Sequence, residues 1–306
     1  MSVKHIPYIG SGPYCYSNSL AMLLGKDAPS TAVIEFATSS PFGMQMVGDT
    51  PFFEPYGWTP IAGFEQAIKT MGWESTQVIS KDGNEALARL REKLEKGPVF
   101  VGPVEMGNLR YHPNMDGPIG ADHYVVVLGV QGDEVEIHDP EGYPYATLPL
   151  SDFMEAWSAD KITYGKPYMM RTDFRRVEAV SEEDVIQRSI TAGARWLRMV
   201  GEHETPPGSV GNREAAERLA ALVEAGCDAK LRGHLIYFAV RVGTRRAADA
   251  ATCLSRVGFD NAAEILARQA RLIGSLQYSL VVEDTSRAAA ALRALASTYM
   301  QLITVL

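Results

Sequence analysis

The sequence predicts an α+β domain built on an antiparallel sheet, followed by an all-α helical bundle. Two observations carry this. Between Val99 and Leu150, short β-branched or alternating runs are separated by turn residues, and His123–Val130 and Glu134–Asp139 form a hairpin through Gly132-Asp133. From Ser181 onward strand signals almost vanish, Ala, Leu and Arg dominate, and no proline follows Pro207. A chain of 306 residues accommodates two domains. The change of character places them at 1–178 and 179–306.

Each element has its own signal. Cys15 ends a loop carrying Gly10, Gly12 and Pro13, and an apolar helical run with Leu20, Leu23 and Leu24 follows up to Gly25. Residues 28–38 read as a short helix. Residues 39–60 are punctuated by Pro41, Gly43, Gly48, Pro51, Pro55, Gly57 and Pro60, which predicts an irregular loop. A helix over 60–71, a strand over 73–79, a charged amphipathic helix over 82–96 and a buried strand from Val99 to Val104 come next. A second irregular stretch spans 105–122. After the hairpin, 143–150 reads as a strand, 151–158 as a helix and 162–171 as a last strand. Ser181 followed by three acids starts a helix, and five or six helices fill the remainder.

Bulk properties narrow the function. The net charge of −8 argues against general nucleic-acid binding. It is uneven: residues 1–180 hold 23 Asp/Glu against 14 Lys/Arg, and residues 181–306 hold 14 against 15. An acidic catalytic part suits a neutral or cationic substrate such as an amine. Cys15, Cys227 and Cys253 are too few and too odd in number for a disulfide framework. No apolar run reaches the ~18 residues of a membrane span, and the N-terminus lacks the pattern of a signal peptide. The expected compartment is the reducing cytoplasm.

Cys15 sits at a helix N-terminus, where unpaired N–H groups and the helix dipole favour a thiolate. Its pKa is therefore expected below the ~8.5 of a free thiol. Thiol catalysis also needs an imidazole and a group that holds it. His123 opens one hairpin arm and Asp139 closes the other, so antiparallel pairing brings them together whatever fold surrounds them. Taken singly, a cysteine before an apolar helix is more often a small buried residue, and Asp-Pro after a strand is ordinary turn chemistry. The order Cys, His, Asp with hairpin spacing reverses those odds. Phe52, Phe53, Tyr56 and Trp58 in the first irregular loop either line a cleft beside Cys15 or form a hydrophobic cluster under that loop. His112, Asp116, Asp122, His123 and His138 lack a recognised metal spacing, so no metal is expected. Cys227 and Cys253 read as core. Arg241, Arg245 and Arg246 form a basic cluster that either caps a helix end or docks an acidic carrier.

The Cys15 segment, the run His123–Val130 and the alternating strand ending in Asp139-Pro140 resemble the papain-like fold in its bacterial form, as in the bacteriocin leader peptidases. The whole chain is similar to the butirosin-biosynthesis protein H family, which joins such a domain to a helical region; the aromatic and glycine loop over 42–58 adds to the likeness. The resemblance implies Cys15 as nucleophile, His123 as general base and acid, and Asp139 as the orienting carboxylate. It implies acyl transfer from the phosphopantetheine thioester of an acyl carrier protein to an amine of a small molecule, with no cofactor beyond that substrate arm. One departure stands out. The glutamine that papain-like peptidases place before the cysteine as oxyanion donor is missing, and Tyr8, Ser11, Tyr14 and Asn18 are the polar candidates. That favours a reactive thioester over an amide. A cysteine peptidase or amidase on the same triad and a non-catalytic binding protein are the alternatives. An apolar face in the helical half would suit a homodimer.

Overall fold

The computed structural model describes residues 10, 12–201 and 205–306. In chain order the helices are α1 Cys15–Leu24, α2 Thr31–Ala37, α3 Pro60–Thr70, α4 Gly83–Leu94, α5 Leu150–Ser158, α6 Glu182–Leu197, α7 Asn212–Glu224, α8 Ala229–His234, α9 Val240–Arg256, α10 Asp260–Val281 and α11 Thr285–Val305. The strands are β1 Gln45–Val47, β2 Thr50–Phe52, β3 Trp73–Ile79, β4 Val99–Glu105, β5 Asp122–Gln131, β6 Glu134–Asp139, β7 Tyr143–Pro149, β8 Met169–Arg176 and β9 Val210–Gly211. A π-helical turn, Leu235–Ala239, joins α8 to α9.

The chain forms two compact units, and the first is not contiguous. It takes the chain up to Thr31 together with Gly72–Ala179; Ala32–Met71 joins Val180–Leu306 in the second. This differs from the boundary read from the sequence, and buried polar contacts show why. Arg246 on α9 pairs with Glu35 on α2 at 2.8 Å and with Glu54 at 3.0 Å. Strand β1 pairs with β9, and Asn212 donates its backbone N–H to the Met44 carbonyl and accepts from the Met44 N–H. Contacts so distant in sequence leave no local composition signal.

The first unit is a six-stranded antiparallel sheet in the order β3-β8-β4-β5-β6-β7. Alternation along β5 decides its two faces. Val125 and Val127 share a core with Val101, Ile137 and Met170, covered by Ala86 and Leu90 of α4 and Phe153 and Trp157 of α5. Val126 and Leu128 face the other way, against Met22 and Leu23 of α1. Helix α1 has no side-chain N-cap, a loss of about 1 kcal/mol. Its buried Leu20, Met22 and Leu24 each contribute about 1.5–3 kcal/mol, and Ser19 Oγ bonds the Tyr124 carbonyl at 3.1 Å. Packing therefore holds the Cys15 helix on the sheet without a cap.

Two expectations need correction in detail. The last strand begins at Met169, not 162, because Ala159 adopts a left-handed φ of 50° and turns the chain after α5. The loop over 39–60 contains the β1–β2 hairpin, whose turn Gly48-Asp49 has Gly48 at φ 60°. The second unit is largely helical, with α9 against α10 and α7 and α10 against α11.

Candidate active site

Cys15 is the first residue of α1, preceded by Tyr14 in the left-handed region at φ 89°. A bulky residue seldom adopts that conformation, and it concentrates where a site dictates the backbone. The loop before the thiol is held by Gly12 N–H to the Pro140 carbonyl at 3.4 Å and by the Asn18 amide to the Pro13 carbonyl at 3.5 Å. The first of these ties the Cys15 loop directly to the turn after Asp139.

The hairpin places His123 Nε2 at 2.7 Å from Asp139 Oδ1. That leaves Nδ1 as the nitrogen not on Asp139, and the His123 side chain interacts with the Cys15 thiol. Asp139 is wholly buried and accepts three further hydrogen bonds: His112 Nε2 at 2.7 Å, the Tyr111 hydroxyl at 2.6 Å and the Glu141 N–H at 2.8 Å. An ionised carboxylate only accepts, so both imidazoles present Nε2–H to it.

The electrostatics follow from burial and these contacts. Burial opposes charge on Asp139, but the charges and hydrogen bonds of His123 and His112 outweigh it and hold the carboxyl far below its ordinary range. Burial also opposes the His123 imidazolium, yet Asp139, with a smaller contribution from Cys15, holds it well above 6.5. Burial together with the Asp139 charge keeps Tyr111 protonated as a donor. The thiol departs from expectation. Burial pushes Cys15 above its ordinary 9.0, and Asp122 and Glu141 add to that, while His123 pulls it down without prevailing. The helix N-terminus was expected to decide this value, but desolvation of the anion is the larger effect.

The sequence singled out His112 and Asp122 only as candidate metal ligands and did not single out Tyr111, Tyr124 or Tyr164, which surround Cys15, His123 and Asp139. Tyr111 and His112 lie in the irregular stretch after β4. That stretch is pinned by Glu105, whose carboxylate accepts from Gly107, Ile119 and Gly120 N–H groups. A Cβ at Gly107 would meet the Gly117 carbonyl oxygen at 2.0 Å, so the close approach requires glycine there. Tyr164 bonds Asp122 at 2.6 Å and Tyr124 at 3.0 Å, and Tyr124 and Asp122 both lie close enough to interact electrostatically with Cys15. Polar residues of a loop flagged as irregular, flanking a strand that opens in His, were the available signal.

The proposed oxyanion and substrate residues fare differently. Tyr8 and Ser11 lie outside the described residues. Tyr14 is buried, and Asn18 is engaged with the Pro13 carbonyl. Phe52, Phe53, Tyr56 and Trp58 belong to the second unit, whereas Cys15 belongs to the first. Phe53 lies on the Gly243 backbone, and Trp58 bonds the Thr38 carbonyl at 2.8 Å with the Arg246 guanidinium over its ring. Phe52 sits edge-on to His234, and the Tyr56 hydroxyl bonds Thr205 at 2.7 Å. The three arginines are placed differently: Arg241 is exposed and Arg245 half-buried. Arg246 is buried in its ion pairs and Arg245 faces Asp249 at 3.5 Å. Cys253 is buried as expected; Cys227 is only half-buried.

His112, His123 and Asp139 also offer ligand atoms that all lie within 4.8 Å of one another. Among the described residues no helix is long and apolar enough to cross a membrane.

Known proteins resemble both parts of the chain. Residues 206–306 match the domain described as the YobF C-terminal domain. The "Uncharacterized protein YobF" of Bacillus subtilis (strain 168) is 28% identical over 246 residues, which is 79% of each chain. That match is too long to fit within the helical C-terminal part, so the similarity extends into the part that carries the triad.

Proposed function

We propose that this protein is a cysteine-dependent acyltransferase of papain-like architecture. It moves an acyl group from a thioester, such as one borne on a carrier protein, to an amine of a small molecule. One observation carries the reading: His123 Nε2 is held by the buried Asp139 carboxylate at 2.7 Å while the same side chain interacts with the Cys15 thiol. That is the arrangement that moves a proton off a nucleophile and back onto a leaving group.

In the forward half-reaction the Cys15 proton passes to His123, and Sγ attacks the thioester carbonyl. The tetrahedral intermediate collapses with release of the donor thiol, which takes its proton from His123. The acyl-Cys15 is then attacked by the amine. His123 accepts the amine proton and returns it to Sγ as the amide departs.

Two features favour a thioester over an amide. Exchange of one thioester for another is nearly balanced in energy. A thiolate of raised basicity is also intrinsically the stronger nucleophile, even though less of it is present. Because His123 is held protonated and the thiol neutral, the reactive state, with one proton shared by the pair, forms as pH rises. The amine acceptor likewise needs to be unprotonated, so both half-reactions favour alkaline conditions.

The test is intact-mass analysis of the full chain with an acyl-pantetheine thioester, with and without an amine. Acyl mass on Cys15, absent in Cys15→Ala and discharged to an amide by the amine, is the expected result. Discharge to the free acid alone would indicate a hydrolase. No adduct, together with alkylation of Cys15 that ignores His123→Ala, would leave the binding-protein reading.

A further inference from the structure

We infer that His112, His123 and Asp139 form a transition-metal site that takes His123 out of use as the base for Cys15; the inference rests on the triad reading above. Sequence spacing hides this set, because 11 residues separate His112 from His123 and 16 separate His123 from Asp139. The fold brings them together. The two Nε2 atoms approach opposite oxygens of one carboxylate at 2.7 Å, and all three groups are buried. Two imidazoles and a carboxylate with ligand atoms within 4.8 Å of one another make a donor set that suits zinc and its neighbours, not magnesium or calcium.

The fit is close. Zinc holds nitrogen and oxygen ligands at about 2.0–2.2 Å, so the present N···O contacts need to open by roughly 0.5 Å to admit it. His112 lies in the loop after β4, outside any strand. The outer shell is already built. Tyr111 and the Glu141 N–H orient the carboxylate, and the His123 side chain interacts with Cys15. Such partners fix ligand orientation at metal sites. The surrounding charge is negative, with Asp139 at the centre and Asp122 and Glu141 near enough to act on Cys15.

The consequence for the thiol follows from proton placement. Zinc takes the Nε2 lone pair of each imidazole. A ring that was an imidazolium gives up its second proton to solvent and keeps one, on Nδ1. In His123 that nitrogen, the one not on Asp139, no longer has a lone pair to receive the thiol proton. The metal thus blocks the base without touching sulfur. This distinguishes the site from ordinary capture of zinc by a reactive cysteine.

The experiment uses the full chain, stripped with EDTA and free of small thiols, titrated with Zn2+ against a chromophoric chelator. One zinc per chain is expected in the wild type, retained with little loss in Cys15→Ala, and weakened by roughly 100-fold or more in His112→Ala. In parallel, zinc stops acyl transfer to Cys15 from an acyl-pantetheine thioester and EDTA restores it. His112→Gln, which keeps a polar side chain in place, transfers the acyl group at the same rate with or without zinc. Loss of zinc binding in Cys15→Ala would put the ion on the thiol and overturn the inference. So would unchanged binding in both His112 variants, or no binding by the wild type at micromolar concentration. Failure of the triad reading shows separately, as metal-free iodoacetamide labelling of Cys15 that does not depend on His123.

Discussion

His123 and Asp139, 16 residues apart in the chain, meet with Nε2 2.7 Å from Oδ1 because they occupy the start and the end of two antiparallel strands. Burial makes this contact strong. Water is excluded from both partners, and the carboxylate is saturated by the added donors from His112, Tyr111 and Glu141.

The first prediction concerns the thiol itself. The rate of Cys15 alkylation by iodoacetamide, followed by peptide mass spectrometry, is expected to rise with pH to a midpoint above 9.0, since burial outweighs the His123 contribution. In His123→Ala the midpoint moves higher still, because the group that lowers it is gone. Each unit of that shift lowers the thiolate fraction at pH 8 about tenfold. A midpoint below that of a free thiol would show that the helix N-terminus and His123 dominate after all.

Asp139→Asn is expected to act on reactivity and stability together. His123 loses the charge that holds its imidazolium, and the amide favours the wrong tautomer; acyl transfer should fall by about 10²–10⁴. Stability in urea should fall by about 3–5 kcal/mol, since buried donors lose their acceptor. The pH dependence has a definite sign. Asp139 titrates low in the folded state, so its contribution is in place above the unfolded value of about 3.9 and is lost as pH falls. His123 titrates high, so its contribution is complete below about 6.5 and is lost as pH rises through the folded value. The gap between wild type and Asp139→Asn is therefore widest between about pH 4 and 6.5.

In the second unit, Arg246→Met leaves Glu35, which is fully buried, and Glu54 without their cation. A loss of about 3–5 kcal/mol is expected, read by denaturant unfolding. Combining it with Glu35→Gln should recover part of that loss, because the uncompensated charge is the source of the penalty. Equal destabilisation in the single and double variants would point to lost packing on Trp58 instead.

Gly243→Ala opposes two effects of known size. Alanine in a helix interior gains about 1 kcal/mol over glycine. The added Cβ would lie 2.5 Å from Cδ2 and Cγ of Phe53, an overpacking that costs about 1–3 kcal/mol. Net destabilisation is expected, relieved in a Phe53→Leu background. A rise in thermal stability for the single variant would show that Phe53 yields easily.

Local patterns sufficed wherever the signal was short-range. The hairpin through Gly132-Asp133, helix α4 closed by its Gly97-Pro98 stop and the helical character beyond Ser181 all follow from periodicity and turn chemistry over a few residues. The nearness of His123 and Asp139 follows too, since antiparallel pairing alone brings the two ends of a hairpin together. Tertiary structure decided the rest. It drew Ala32–Met71 into the helical unit through Arg246 and β9, and packed Phe53 and Trp58 there. It gathered Tyr111 and His112 onto Asp139, and raised the Cys15 thiol instead of lowering it. The reason is common to all of these. A sequence displays propensities between neighbours, whereas desolvation and long-range ion pairing depend on which distant groups finally exclude water together.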